Sequence, residues 1–407
     1  MKPLHILFIS PYLPSLIRVR PYNLIKHLAE HGHHITLLAL EAPGEDSSGL
    51  DSLHTWCQRV RILPLPRWRI LWNGVRAIPS QVPFQAAYSR SPAMADLIRQ
   101  TQAETIFDVA HVEHLRGAEL SHAVSGAPIV FDSVDSISLL FERVLSSGPT
   151  WRSRLLAKLD LARTKRYEGR LLEQYSRVLV TSPLDKDALA DLTLASRQRD
   201  PEEVQMMLQR LVVLPNGVDL DYFTPLDLPR QPATVIFSGK MSYHANIAAA
   251  MDLATQVMPL VWQQLPEARL TIAGKDPSAE LLALANDSRI TVTGTVPDLR
   301  PCLAQATVAV TPMRYGVGIQ NKVLEAMAMA TPVVSTPQSL TALQAEVGQD
   351  VLAASTFPEI AQAVLTLLTD KALCQRLGQA GRRYVESHHD WRVVTQKLVD
   401  IYRQVMQ

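Results

Sequence analysis

The sequence predicts an α/β protein of two Rossmann-like domains facing each other across a cleft. Three observations carry that expectation. Short apolar runs alternate with longer helical patterns throughout the chain, the signature of parallel sheets covered by helices on both faces. The alternation restarts midway, so two sets of strands follow one another. And 407 residues with 47% hydrophobic and 19% charged content are enough for two sizeable cores.

In the first half the strand candidates are residues 5–9, 35–40, 109–111, 129–131 and 178–181, with amphipathic helical stretches at 22–30 and 92–102 between them. In the second half they are 234–237, 269–272, 290–292, 307–310 and 332–335, and a last helical pattern at 391–405 follows a His-His-Asp turn. The polar segment 196–203, with Arg199-Asp200-Pro201 inside it, separates the two sets and places the domains at 1–205 and 206–390. In such sheets ligands sit beyond the carboxyl ends of the strands, so the residues just after each strand are the ones to inspect.

The most informative of these segments lies between residues 306 and 330. An apolar run, 306–311, feeds a loop carrying Gly316 and Gly318, and a helix runs from about Gln320 to Ala330. That order presents free backbone N–H groups and the positive end of a helix dipole, which suits an anion such as a diphosphate. Glu325 lies about a turn into the helix, where a carboxylate can accept hydrogen bonds from sugar hydroxyls. An ordinary strand-to-helix turn is the plain alternative.

Composition excludes other classes. A formal net charge of +1 gives no sign of a polyanionic partner, which argues against bulk nucleic-acid binding. Cys57, Cys302 and Cys374 stand far apart, without the spacing of a disulfide framework or a zinc cluster, and a reducing compartment fits them best. The first apolar run is too short for a signal sequence and no run reaches 18 apolar residues, so the expectation is a cytoplasmic chain that spans no membrane.

The strand-end segments are Ser10-Pro11-Tyr12, His111-Val112-Glu113, Asp132-Ser133-Val134-Asp135, Pro215-Asn216-Gly217-Val218-Asp219, Gly239-Lys240, Gly274, Gly294 and the loop before Glu325. Taken together they resemble glycosyltransferase family 4, the retaining nucleotide-sugar transferases of GT-B fold, including the exopolysaccharide-associated subgroup. The most specific pieces are the segment from Leu214 to Phe223, and Leu324-Glu325-Ala326-Met327-Ala328 followed by Pro332-Val333-Val334.

The resemblance implies a nucleoside diphosphate sugar donor held mainly by the C-terminal domain and an acceptor held mainly by the N-terminal one. It implies catalysis on closure and a final helix, about 391–407, that packs back on the N-terminal domain. Glu325 would bind the donor ribose, and Lys240 would neutralise the leaving diphosphate where the family commonly has arginine. His111 would hydrogen-bond the transferred sugar as neutral imidazole; a buried histidine satisfied by its neighbours is the rival reading. Asn216, Gly239, Gly274, Tyr315, Gly316, Gly318, Ile319, Gln320, Asn321 and Lys322 complete the implied donor site.

The chain also departs from the family. The second cation expected five residues after Lys240 is replaced by Ala245, and the neighbouring Asn246 becomes a candidate amide donor to the diphosphate. The first of the family's paired glutamates is Val317 here, which leaves open how the sugar is held. No glycine pair occupies the N-terminal loop. Arg18 and Arg20 stand there instead, able to approach a phosphate by side chain or simply to be solvated. Glu113, Arg116 and Asp135 are the weaker candidates for acceptor contacts, against ordinary ion pairs.

Two stretches are strongly basic. Residues 59–90 hold six arginines and no acid, interleaved with Trp68, Ile70, Leu71 and Trp72, and residues 151–170 hold seven basic residues against two acids. Basic helices with tryptophan suit an anionic membrane surface, which a lipid-linked acceptor would require; a solvated basic helix is the alternative. The expected function is therefore a retaining transfer of sugar to a saccharide acceptor, lipid-linked in one version, in surface or extracellular polysaccharide assembly at the inner face of the membrane. No metal or cofactor is expected, since no Asp-x-Asp motif or His/Cys cluster occurs. A noncatalytic sugar-nucleotide or glycan-binding subunit is the rival from another class, and a sugar-nucleotide epimerase fits the fold but not the Pro215–Asp219 segment.

Overall fold

The computed structural model describes residues 2–147, 151–195, 201–313 and 320–407. It divides into two compact units, one of residues 1–215 together with 394–407, the other of residues 216–393.

The first unit is built on a seven-stranded parallel sheet. Its strands are β1 (His5–Ser10), β2 (His34–Glu41), β3 (Arg59–Pro64), β4 (Val109–Glu113), β5 (Ile129–Val134), β6 (Arg177–Val180) and β7 (Leu211–Val213). They lie in the order β3-β2-β1-β4-β5-β6-β7, so the direction of winding reverses between β1 and β4. The central strands are apolar runs buried on both faces, as a parallel sheet sandwiched between helices requires. Leu7, Ile9, Ala110, Val112, Phe131 and Val178 lie within one contiguous core cluster.

The second unit is a six-stranded sheet of β8 (Thr234–Ser238), β9 (Arg269–Ala273), β10 (Ile290–Val292), β11 (Val308–Thr311), β12 (Val333–Ser335) and β13 (Leu352–Ala353). Its order, β10-β9-β8-β11-β12-β13, reverses between β8 and β11. Alternation along β8 sends Val235 and Phe237 into one core cluster and Ile236 into another, so both faces of this sheet are covered.

The seam falls at Pro215/Asn216, ten residues beyond the expected 205/206. The reason is β7, which pairs with β6 and carries the chain once more into the first sheet before it leaves. Of the polar segment expected to mark the seam, residues 196–200 lie outside the described residues. The last helix, Trp391–Val405, buries Val394, Leu398, Val399 and Tyr402 at near-helical spacing, and residues 394–407 group with the first unit.

Candidate functional site

In doubly wound sheets the point where strand order reverses opens a crevice at the carboxyl edge. Most of the sequence-derived candidates lie at one of two such points, one in each unit.

In the second unit the carboxyl ends of β8 and β9 interlock. Gly239 donates its N–H to Ala273 O at 3.0 Å, and Met241 donates to Lys275 O at 2.8 Å. Gly274, at φ +148°, comes so close that a Cβ there would lie 1.7 Å from Gly239 O, which is why only glycine fits. Gly239, at φ +152°, is packed as tightly: a Cβ on it would meet Asn246 Nδ2 at 2.8 Å and Lys322 Cε at 3.3 Å. Gly239, Gly274, Asn246 and Lys322 thus form one contact group from four separate stretches of sequence.

Lys322 is the second residue of the helix Asn321–Ala328, the end where the helix dipole is positive. Its Nζ donates to Gln320 Oε1 at 3.2 Å and lies 5.8 Å from the Phe237 ring centroid. Burial pulls its pKa down to about 8, partly opposed by the Glu325 carboxylate one turn on. Burial raises Glu325 in turn, partly opposed by Lys322. Asn321, at the first position of the same helix, has a buried Oδ1 with no hydrogen-bond partner among the described residues. Lys240 is exposed beside Gly239. Two cations, a helix N-terminus and a polar atom lacking a partner therefore surround this edge, a set whose chemistry suits a polyanion with hydroxyl-bearing substituents.

Two of the donor-site candidates also have roles within the fold. Asn246 was expected to give its amide to a ligand; the structure has Nδ2 donating to Lys240 O at 2.9 Å, so the side chain shapes the Gly239-Lys240 turn. Asn216 was expected at the donor; its backbone carbonyl accepts from the His389 imidazole at 2.7 Å, and Gly217 leaves no room for a Cβ against the Trp391 ring. The Pro-Asn-Gly-Val segment is thereby explained as a seat for the turn at His389–Trp391. The expectations for Tyr315, Gly316, Gly318 and Ile319, and the question raised by Val317, fall outside the described residues.

In the first unit the ends of β1, β4 and β5 converge. Tyr12 donates its hydroxyl to Glu113 Oε1 at 2.8 Å, and Ser10 Oγ donates to Tyr12 O at 2.7 Å. Burial, reinforced by Asp132, pushes the Glu113 carboxyl up to about 8, so it is largely protonated at neutral pH. The backbone at two of these strand ends is strained: His114, just past β4, has φ 61°, and Val134, the β-branched last residue of β5, has φ 67°. Asp135 accepts from Thr181 Oγ1 at 3.2 Å and is raised to about 6, chiefly by burial. Arg18, exposed, lies 4.4 Å over the Tyr12 ring, and Arg116 donates to Gln85 Oε1 while stacking on Tyr88.

His111 and Arg20 are corrected. β4 continues two residues past His111, which leaves the imidazole without solvent exposure, stacked on Phe8 at 4.4 Å with Nδ1 2.8 Å from the Tyr402 hydroxyl. Burial lowers its pKa to about 4, so it is neutral, but as a packed side chain of the sheet rather than a sugar contact. Arg20 is no loop arginine. The helix Val19–Glu30 starts earlier than its apolar pattern, because Pro21 is tolerated in a first turn, and Arg20 points inward to Asp132 Oδ2 at 2.8 Å. Sequence reasoning missed this Arg20–Asp132–His111–Tyr402 network. Its members are scattered from residue 20 to residue 402, and no spacing rule joins them.

Comparison with known proteins agrees with this architecture. The family model described as Glycosyl transferase 4-like domain matches residues 17–201, and the one described as Glycosyl transferases group 1 matches residues 232–370. Among solved structures, a glycosyltransferase from Rickettsia africae superposes with a TM-score of 0.69 at 14% identity, covering all of both chains. HepE of Anabaena, solved with UDP and glucose, superposes with a TM-score of 0.66 at 13% identity over 98% of this chain and 100% of its own. The fold is thus that of the GT-B glycosyltransferases. The chain belongs to the family-4 type among them.

Among curated proteins, alpha-maltose-1-phosphate synthase of Mycobacterium tuberculosis is 35% identical over 121 residues, 27% of this chain and 30% of that protein. A GDP-mannose-dependent phosphatidylinositol monomannoside mannosyltransferase of Corynebacterium glutamicum is 28% identical over 216 residues, 46% of this chain and 55% of that protein. The matched segments therefore span about a third and about half of these relatives.

Proposed function

We propose that this protein transfers a sugar, with retention at the anomeric carbon, from a nucleoside diphosphate sugar to a saccharide acceptor in surface or extracellular polysaccharide assembly. The observation that carries the reading is the contact group at the carboxyl edge of the second sheet. There Gly239 and Gly274 let the two strand-end turns interlock, Lys240 and Lys322 supply positive charge, and Glu325 stands a turn into the helix. The Corynebacterium relative is named for a GDP-mannose donor and a glycolipid acceptor, and HepE was solved with UDP. Both lend weight to a nucleotide-sugar donor, and the former to an acceptor carried on lipid.

In this reading the donor diphosphate lies against Lys240, Lys322 and the start of the helix Asn321–Ala328, and the ribose hydroxyls meet Glu325. The bond between the anomeric carbon and the diphosphate oxygen breaks as the acceptor oxygen bonds to the same face of that carbon. The acceptor proton passes to the departing diphosphate. The protein's contribution is positioning together with stabilisation of the charge that grows on the leaving group. The acceptor belongs to the first unit, where Tyr12 contacts Glu113 and Arg18, with Asp135 and Arg116 as further candidates. No metal takes part in the proposed step, and the enzyme works at the inner face of the membrane.

The test is incubation with a panel of radiolabelled nucleotide sugars and a membrane extract, with and without a chelator. Transfer to a saccharide or lipid fraction, undiminished by the chelator, is expected with one donor. Donor binding without transfer or hydrolysis would instead make the chain a noncatalytic binding subunit.

A further inference from the structure

The helix Arg67–Ala77 is built with its apolar side outward. Trp68, Leu71, Trp72 and Val75 follow the spacing that places residues on one helical face, and they are 60%, 71%, 51% and 57% exposed. Ile78, which ends the helix, is exposed as well. This stripe does not hold the helix in place. On the opposite side Asn73 is buried and donates its amide to Tyr88 O at 3.0 Å and Arg90 O at 2.9 Å, and Ala77 is fully buried. The carboxyl end is fixed separately, because Arg163 donates to Ala77 O at 3.3 Å and to Ile78 O at 2.7 Å. A contiguous exposed stripe that the fold does not need marks an interaction surface.

Charge selects the occupant. No acid occurs between residues 59 and 90. Arg69, Trp72 and Arg76 line a cavity of about 330 Å3, together with Arg90. Arg90 is neutralised by Glu119 at 2.7 Å, but among the described residues no carboxylate pairs with Arg69 or Arg76. A helix with aromatic and aliphatic residues on one side and arginines beside them, too short to cross a bilayer, suits the plane between acyl chains and headgroups. A protein partner would need only the apolar stripe; two arginines beside it, Arg69 stacked on Trp68 at 4.7 Å and neither neutralised by a carboxylate among the described residues, call for phosphates as well.

We propose that this face docks the protein on an anionic lipid bilayer, the apolar stripe entering the acyl boundary while Arg69 and Arg76 take lipid phosphates. The inference deepens the reading of a lipid-linked acceptor, yet its test needs no acceptor. Sedimentation with phosphatidylcholine vesicles, with and without phosphatidylglycerol, is measured for the full chain, for Leu71→Ser/Val75→Ser and for Arg69→Gln/Arg76→Gln. The thermal unfolding transition of the first unit, expected to be unchanged in all three, reports folding.

The full chain is expected to bind the anionic vesicles. The arginine pair should lose roughly thirtyfold in partitioning, and the apolar pair at least about tenfold. Absence of binding by the full chain, or equal binding by all three chains, overturns the proposal. So does a full chain that is dimeric in solution while Leu71→Ser/Val75→Ser is monomeric, since the stripe would then be covered by a second copy. Absence of vesicle binding by the full chain, with sustained transfer to a detergent-dispersed lipid acceptor, would sink the docking surface and spare the acceptor reading. Vesicle binding without transfer to any lipid would do the reverse.

Discussion

Lys322 sits where a cation is least favoured, half-buried at the positive end of its own helix, and that placement makes sense for a side chain whose partner is a ligand. With its pKa lowered to about 8, the free lysine is charged below that pH and neutral above it. A bound diphosphate favours the charged form, so above pH about 8 UDP binding should weaken and should take up a proton. Calorimetry in buffers of different ionisation heat checks this; the same uptake in Lys322→Met would exclude Lys322 as its source. Glu325 and Lys240 act more directly. Glu325→Ala and Lys240→Ala should each cut the transfer rate at least about tenfold, roughly 1.4 kcal/mol of transition-state stabilisation. Rates near wild type in both would remove them from the site. Lys240 could be picked out in the sequence because it directly follows a strand end, and Lys322 and Glu325 because they fall in the segment that carries the family resemblance. Arg20 could not be placed, because the feature that turns it inward is a helix start hidden by Pro21. His111 was misplaced for a similar reason: β4 runs on through Val112 and Glu113, so its true end is two residues later.

At the scale of elements, the strands visible in the sequence are mostly those buried on both faces, which require an unbroken apolar run; β10, an edge strand with Thr291 exposed, is an exception. The ones the sequence concealed are β3, β7 and β13, each at the edge of its sheet. β3 alternates Arg59 and Arg61 with Val60 and Ile62, a charged edge that reads as part of a basic stretch, whereas β7 and β13 have three residues and two. Missing β7 is what moved the expected seam. The glycines at the ends of β8 and β9 carry the opposite lesson: the sequence marked them, but only the structure shows that they touch. Gly274→Ala must force Gly239 O away from a 1.7 Å approach at a φ that disfavours a side chain. A stability loss on the order of 1–3 kcal/mol is expected, with weakened UDP binding because Asn246 and Lys322 rest on the same turn. Thermal denaturation and UDP titration of the variant measure both. Unchanged UDP affinity would mean that the interlocked turns do not shape the donor site.

At the scale of the whole molecule, residues 394–407 return to the unit of residues 1–215, so the first unit is discontinuous in sequence while the second is the single stretch 216–393. Residues 394–407 bring Val394, Leu398, Val399, Ile401 and Tyr402 into burial, and Tyr402 closes the hydrogen bond to His111 beside Asp132. Burying each such apolar side chain is worth about 1.5–3 kcal/mol, and together they rival the 5–15 kcal/mol by which a typical domain is stable. A chain ending at Val393 should therefore lose the first unit while the second, whose contact group at Gly239, Gly274, Asn246 and Lys322 lies wholly within 216–393, keeps its fold. Calorimetry should show one unfolding transition disappear, and UDP should still bind the remaining unit. Tyr402→Phe is the graded form of the same experiment. It leaves His111 Nδ1 buried without its partner and should cost about 1–3 kcal/mol in the first unit alone. If the truncated chain kept both transitions, the last helix would be an appendage to the first unit rather than part of its core. If it lost UDP binding along with the first transition, the donor group at Gly239, Lys322 and Glu325 would depend on the first unit for its fold.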